Sequence, residues 1–312
     1  MVSSDDQVRG LLAQAYEALH KRNIESAIAV IEEALSVDFE HKEVLSALKL
    51  TNFWKDRFAA LETIPDPFDC GEFLLDQWNM FIPFVERAGY VPEQSMYAIR
   101  YCVFGTALDC YEPLFESGGK RDAELSQRIG RCYKGQGNYE KAVEMYETAV
   151  QLQRDNPQIL AELADAYALV NETSYAKVMF REAFFIDPQA ICLECLESEL
   201  IRRLIALVRQ EGYEGRELVE WIPVFGVLKG VFSVKRELRS IEYGKLKQSV
   251  YGLEREIEQT GNDREILVPR LLNRYFWLID HLSRSKDDRG KMDEVLLKIQ
   301  QLDKSVYAKF NE

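Results

Sequence analysis

Residues 123–190 repeat themselves with a period of 34, and that period constrains the fold more than any other feature of the chain. Sliding one unit onto the next superposes Ile129 on Leu163, Gly130 on Ala164 and Tyr133 on Tyr167. It also superposes Ala142 on Ala176, Tyr146 on Phe180 and Ala149 on Ala183. A plain amphipathic stripe recurs every 3.6 residues and fixes no side-chain size at a longer interval. A long period that does fix size predicts a helical hairpin stacked on copies of itself. The small residues then mark where the two helices of a hairpin cross closely. Tyr146 and Phe180 are expected to fill the space between one hairpin and the next. Gly137 falls in the turn between helices, where a glycine lowers the steric cost of a left-handed residue. Pro188 is expected to close the second unit and open the next helix.

Around this pair the pattern weakens. Residues 8–41 read as a degenerate copy, with Ala15, Ala27, Ile31 and Ala34 in the small, small, large and small slots, and Ile24 in the turn. Ala18 stands where the later units carry an aromatic, and residues 42–58 begin another helix of the same kind. The register is then lost until residue 121. Ile64-Pro-Asp-Pro-Phe-Asp69 is a break with an aspartate able to cap the next helix. Helices are expected near 70–88 and 93–116, the second stopped by Gly118-Gly119. The aromatics Phe68, Phe73, Trp78, Phe81, Phe84 and Tyr90 are expected to form mostly core.

Beyond the repeats, 189–212 reads as one amphipathic helix (Leu196, Leu200, Leu204, Leu207) that seals the array. Three further helices are expected at 235–259, 264–284 and 290–308, with near-heptad stripes that suit antiparallel packing. The run 218–234 is the most apolar in the chain, but Glu220, Pro223 and Lys229 argue against a membrane span. Three readings of it stay open: buried core, partner interface and interfacial membrane contact.

The net charge of −13 is unevenly placed. Residues 1–200 hold 18 Lys and Arg against 34 Asp and Glu, whereas 201–312 hold 21 against 18. The acidic part disfavours nucleic acid as a partner. No Gly-x-Ser-x-Gly, His-Glu-x-x-His or phosphate-loop pattern is present, and three histidines leave little general-base capacity. No enzyme activity, cofactor or metal is therefore expected. Cys192-x-x-Cys195 is the one close cysteine pair, and it lacks the two further ligands a zinc site needs. Both are expected to be reduced packing residues on the sealing helix. The polar, acidic start Met1-Val-Ser-Ser-Asp-Asp-Gln7 has no signal-peptide pattern, which places a complete chain in the cytoplasm.

In period and residue pattern, 123–190 resembles the tetratricopeptide repeat (TPR) family. The resemblance implies an all-α fold: a solenoid of helical hairpins followed by a helical C-terminal bundle. The expected divisions are 1–60 for the degenerate repeat, 61–120 for a divergent hairpin, 121–212 for the two clear units with their sealing helix, and 213–312 for the C-terminal region. It also implies a non-catalytic scaffold or adaptor that holds a partner protein or peptide in a concave groove lined by the first helix of each unit. Carried over to this chain, the groove positions are Leu12, Tyr16 and Leu19, then Gln127, Arg131 and Lys134, then Ala161, Asp165 and Ala168. Tyr16, Gln127, Arg131, Lys134 and Asp165 are the candidate partner-binding residues. The family's clamp for a terminal carboxylate is not reproduced: Gln127 and Ala161 stand where Lys is expected, and Asp165 opposes an anion. The alternative is an assembly subunit that forms homo-oligomers through its C-terminal helices.

Overall fold

Several helix starts in this chain are set by short polar side chains. Ser3 Oγ accepts from the Asp6 backbone N–H at 3.1 Å, and Asn23 Oδ1 accepts from Ser26 at 2.9 Å. Asp66, Asp122 and Asn156 cap their own helices in the same way, satisfying N–H groups that have no partner inside the helix. The structure, a computed structural model, describes residues 3–116, 122–233, 238–259, 263–283 and 289–311. Among the described residues there are fifteen α-helices and no strand, an all-α fold of TPR-type hairpins. The chain divides into two compact units, Met1–Leu152 and Gln153–Glu312. The division falls between the two clear repeats.

The first unit contains α1 (Ser4–His20), α2 (Ile24–Val37), α3 (Lys42–Leu61), α4 (Pro67–Ala88), α5 (Glu93–Glu116), α6 (Ala123–Gly135) and α7 (Tyr139–Leu152). Hairpins α1–α2 and α6–α7 share one turn. Arg22 and Gly137 both adopt positive φ, at 60° and 80°. In each, the next residue donates its N–H five residues back, Asn23 to Ala18 O and Asn138 to Tyr133 O, both at 2.9 Å. The turn of the first hairpin is thus Lys21–Asn23, and Ile24 opens α2 instead of sitting in the turn. Gly130 faces the Tyr146 ring so closely that an added Cβ would lie 2.9 Å from it, which is why that slot must be small.

Between these hairpins, α5 packs on both α1 and α6. Phe81 and Trp54 are fully buried, with Trp78 stacked on Trp54 at a ring separation of 6.1 Å. Tyr90 departs from the expected core and is 61% exposed. The Gly118-Gly119 stop expected after α5 lies outside the described residues. Arg128 on α6 donates to both oxygens of Glu72 on α4, at 2.7 and 3.0 Å, and Tyr111 O–H donates to Glu72 as well. Burial alone would raise the Glu72 carboxyl, but these donors outweigh it and hold it below the usual glutamate value. The stabilisation is therefore present above the unfolded glutamate pKa of about 4.3 and lost as pH falls through the lower folded value. Arg128→Leu is expected to lower the urea midpoint at pH 7 and to flatten its decline below about pH 4. An unchanged pH profile in the variant would contradict this role for the pair.

The second unit contains α8 (Pro157–Leu169), α9 (Thr173–Ile186), the 3-10 turns Pro188–Ala190 and Leu193–Cys195, α10 (Glu199–Gln210), α11 (Gly215–Leu228), α12 (Ser240–Gln259), α13 (Arg264–Leu282), α14 (Arg289–Leu302) and α15 (Lys304–Asn311). The α8–α9 turn repeats that of the other hairpins: Asn171 has φ 65°, and Glu172 N–H donates to Tyr167 O at 2.8 Å. After Asp187-Pro188 the chain does not continue as the helix expected over 189–212. Its backbone N–H groups at Cys192, Glu197 and Ser198 are taken by Gln158 and Asp165 of α8, so α10 starts only at Glu199. Its buried stripe is Ile201, Leu204, Ile205 and Val208, with Leu196 buried in the preceding loop. Nor does α10 seal the unit, because α11 packs on it and on α13.

The run 218–234 is core over 218–226 and at Phe232, whereas Lys229, Gly230 and Ser233 are exposed. Leu218 to Gly226 are all buried along α11, and the Phe232 ring lies where a Cβ on Gly226 would be 2.3 Å away. Of the helix expected at 235–259, residues 235–237 lie outside the described residues and α12 begins at Ser240. Ile241 is 76% exposed, while Leu246, Val250 and Leu253 are buried. The helix expected at 264–284 ends at Leu282, and residue 284 lies outside the described residues. The helix expected over 290–308 is broken. Asp303 Oδ1 accepts from Ser305 and Val306 N–H, at 2.8 and 2.9 Å, and so caps a separate α15.

Helix α13 binds this unit together. Asn273 Nδ2 donates to Phe184 O at 3.2 Å, and the Arg274 guanidinium donates to Phe185 O. These are last-turn carbonyls of α9, which no intrahelical N–H reaches. Burial, with Arg270 nearby, brings Arg274 down to about 10. Farther along, Asp280 accepts from the buried Arg181 of α9, whose guanidinium lies 4.5 Å from the Trp277 ring centre. The C-terminal helices thus share one core with the second clear repeat.

Candidate partner-binding cleft

The groove face expected on α1 is largely covered. Leu12 and Leu19 are buried at 3% and 1% exposure because α5 packs against α1. Tyr16 is buried too. Its hydroxyl shares a 2.7 Å hydrogen bond with Ser95 of α5 and donates to Glu43 of α3 at 3.1 Å. Burial raises this phenol well above its ordinary pKa. Tyr16 nevertheless borders a cleft of about 600 Å³ lined by the C-terminal half of α1 and the first turns of α5. Ala13, Glu17 and His20 form one wall, and Glu93, Gln94 and Tyr97 the other.

The aromatic side of the cleft is ordered by edge contacts. The His20 ring meets Tyr97 at 5.7 Å and Tyr101 at 4.9 Å between centroids, both nearly perpendicular. Tyr97 keeps 53% of its surface exposed. Glu17 pairs with Lys21 at 2.6 Å, and Glu93 stands exposed in the first turn of α5. The cleft therefore combines aromatic surface with carboxylates, in a volume suited to a few side chains of a peptide.

The other expected positions are placed differently. Gln127, Arg131 and Lys134 share one face of α6, but Gln127 and Lys134 are buried and Arg131 is half-buried. Asp165 belongs to the second unit and is fully buried; its carboxylate accepts from Glu197 N–H at 2.9 and 3.0 Å and from Ser198 N–H at 2.7 Å. It is a clamp for the chain's own backbone. Ala161 is fully buried as well. The residues that sequence reasoning passes over are His20, Glu93 and Tyr97. The pairing of Tyr97 with Tyr101 one helical turn apart is the signal that could have drawn attention to that face.

Residues 130–170 match the family model for the TPR repeat. Together with the shared hairpin turn, the match shows that the chain carries TPR-type repeat hairpins, and such repeats generally act as protein–protein interaction modules. A search of the curated proteins gives no match. Among the described residues, no helix is long and apolar enough to cross a membrane, and no group of three His, Cys, Asp or Glu side chains could hold a metal ion.

Proposed function

We propose that the chain is a non-catalytic cytoplasmic scaffold or adaptor that holds a segment of a partner protein in the α1/α5 cleft. The observation that carries this reading is the exposed Tyr97 and His20 beside Glu17 and Glu93 around one 600 Å³ cleft. Aromatic faces and carboxylates together favour a peptide with Lys or Arg next to an apolar residue. The test is a fluorescence-anisotropy screen of short peptides grouped by charge. Basic, apolar-containing peptides are expected to bind, and Tyr97→Ala with Glu93→Lys to weaken them at least tenfold. Both positions are exposed, so the melting curve should barely move. Binding undiminished in that variant, or no preference for basic peptides, would overturn the assignment to this cleft.

A second reading has its own observation. Ile241 and Tyr251 on α12 and Leu297 on α14 are 76%, 60% and 52% exposed, apolar surface that self-assembly would cover. Light scattering separates the two. A monomer over a wide concentration range supports the adaptor. A stable dimer, lost in Tyr251→Glu with Leu297→Glu, supports the assembly subunit.

A further inference from the structure

The two cysteines expected on a sealing helix lie instead in the loop between α9 and α10. Cys192 precedes the turn Leu193–Cys195, and the Cys195 backbone N–H donates to Cys192 O at 3.3 Å. That turn brings the sulfurs together: the Cys195 thiol donates to Cys192 Sγ at 2.9 Å. The loop is held at both ends by α8. Cys192 N–H donates to Gln158 Oε1 at 2.6 Å, and Glu197 and Ser198 donate to Asp165. The sulfurs therefore face each other on a fixed backbone, with Cys192 exposed and Cys195 half-buried behind it.

This pair differs chemically from the other thiols. Cys102 and Cys132 are buried, and burial pushes Cys102 and Cys110 up to about 12 and Cys132 also far up. Such groups remain protonated and are poor nucleophiles. At Cys192 the hydrogen bond from the Cys195 thiol, helped by the Cys195 backbone N–H, brings the thiol down to about 7 against burial and the Glu194 carboxylate. An exposed, ionisable sulfur with a second thiol at contact distance is the arrangement of an attacking and a resolving cysteine.

We propose that Cys192 and Cys195 are a redox-active dithiol whose oxidant is a low-molecular-weight disulfide. The Cys192 thiolate attacks one sulfur of the small disulfide; a mixed disulfide forms, and the departing thiolate takes a proton from water. Cys195 then releases its proton to solvent and attacks Cys192 Sγ, expelling the second small thiol. The pair loses two electrons and two protons, and the small disulfide gains both to become two thiols. The sulfurs need to close by only about 1 Å to reach bonding distance, so the two clamps on α8 can stay in place.

The test uses the full chain in glutathione buffers of increasing oxidised fraction, quenched with an alkylating reagent and read by peptide mass spectrometry. At pH 7, Cys192 is expected to be alkylated at least tenfold faster than Cys102 or Cys132. Oxidised glutathione should convert the peptide holding Cys192 and Cys195 to a form two hydrogens lighter. Cys195→Ser, checked for native circular dichroism, should instead accumulate glutathione on Cys192, because the resolving step is gone. Two free thiols at this site in excess oxidised glutathione, or a glutathione adduct that persists on Cys192 in the intact chain, would overturn the proposal.

Discussion

Truncating either large residue of the repeat, Tyr146→Ala or Phe180→Ala, is expected to lower stability by about 3–5 kcal/mol. Both side chains are fully buried, and each comes one turn after a fully buried alanine, Ala142 or Ala176, on the same helix. In the first unit the reason can be seen directly, because the Tyr146 ring occupies the space that Gly130 leaves open. Removing the ring leaves a cavity that two backbones in fixed hairpin geometry cannot collapse to fill. Tyr146 and Phe180 belong to different compact units, so the two losses should show in different places. Hydrogen exchange should lose protection first in α6 and α7 for Tyr146→Ala, and in α8 and α9 for Phe180→Ala. Loss below about 1 kcal/mol at both positions in chemical denaturation would contradict the repeat register.

That register was readable because it is written twice. Gly130 and Ala164, or Tyr146 and Phe180, identify each other across 34 residues, and the structure gives each pair the same place in its hairpin. The third hairpin was readable through Ala15, Ala27 and Ala34, although its turn lies at Arg22, a residue type that gives no hint of positive φ. What the sequence hid are contacts between positions far apart in the chain. Nothing local around 189–198 shows that Gln158 and Asp165 take its backbone N–H groups, so its leucines read as a helical stripe. The candidate site was obscured for a related reason. Periodicity makes the α1 face bearing Leu12, Tyr16 and Leu19 apolar, but not whether solvent or α5 covers it. Tyr16 was found and its neighbours Tyr97 and Glu93 were not, because they lie on a helix outside the repeat.

Arg270→Leu is expected to be about as damaging as losing a core aromatic, whereas removing Arg270 and Glu220 together is expected to be mild. Glu220 lies within the apolar run of α11 and is fully buried. Its carboxylate accepts from the Arg270 guanidinium of α13 and from Gln189 Nε2 at 3.0 Å. The hydrogen bond to Glu220 holds the Arg270 guanidinium above its usual pKa. Without Arg270, the buried carboxylate keeps one neutral amide donor and only the through-space charge of Arg274, and breaking a buried pair from one side costs about 3–5 kcal/mol. The reverse change is milder. Arg270 is 29% exposed and lies 3.8 Å from Asp187, so in Glu220→Leu it keeps water and a second carboxylate. The double variant removes both charges and continues the apolar surface of Pro223 and Val224, which is commonly neutral or stabilising by about 1–4 kcal/mol. Urea midpoints of the three variants decide the matter. If Arg270→Leu and the double variant fall equally, α13 is held to α11 by packing alone and the ion pair adds nothing. If the double variant recovers most of the loss, the uncompensated Glu220 charge is the cause.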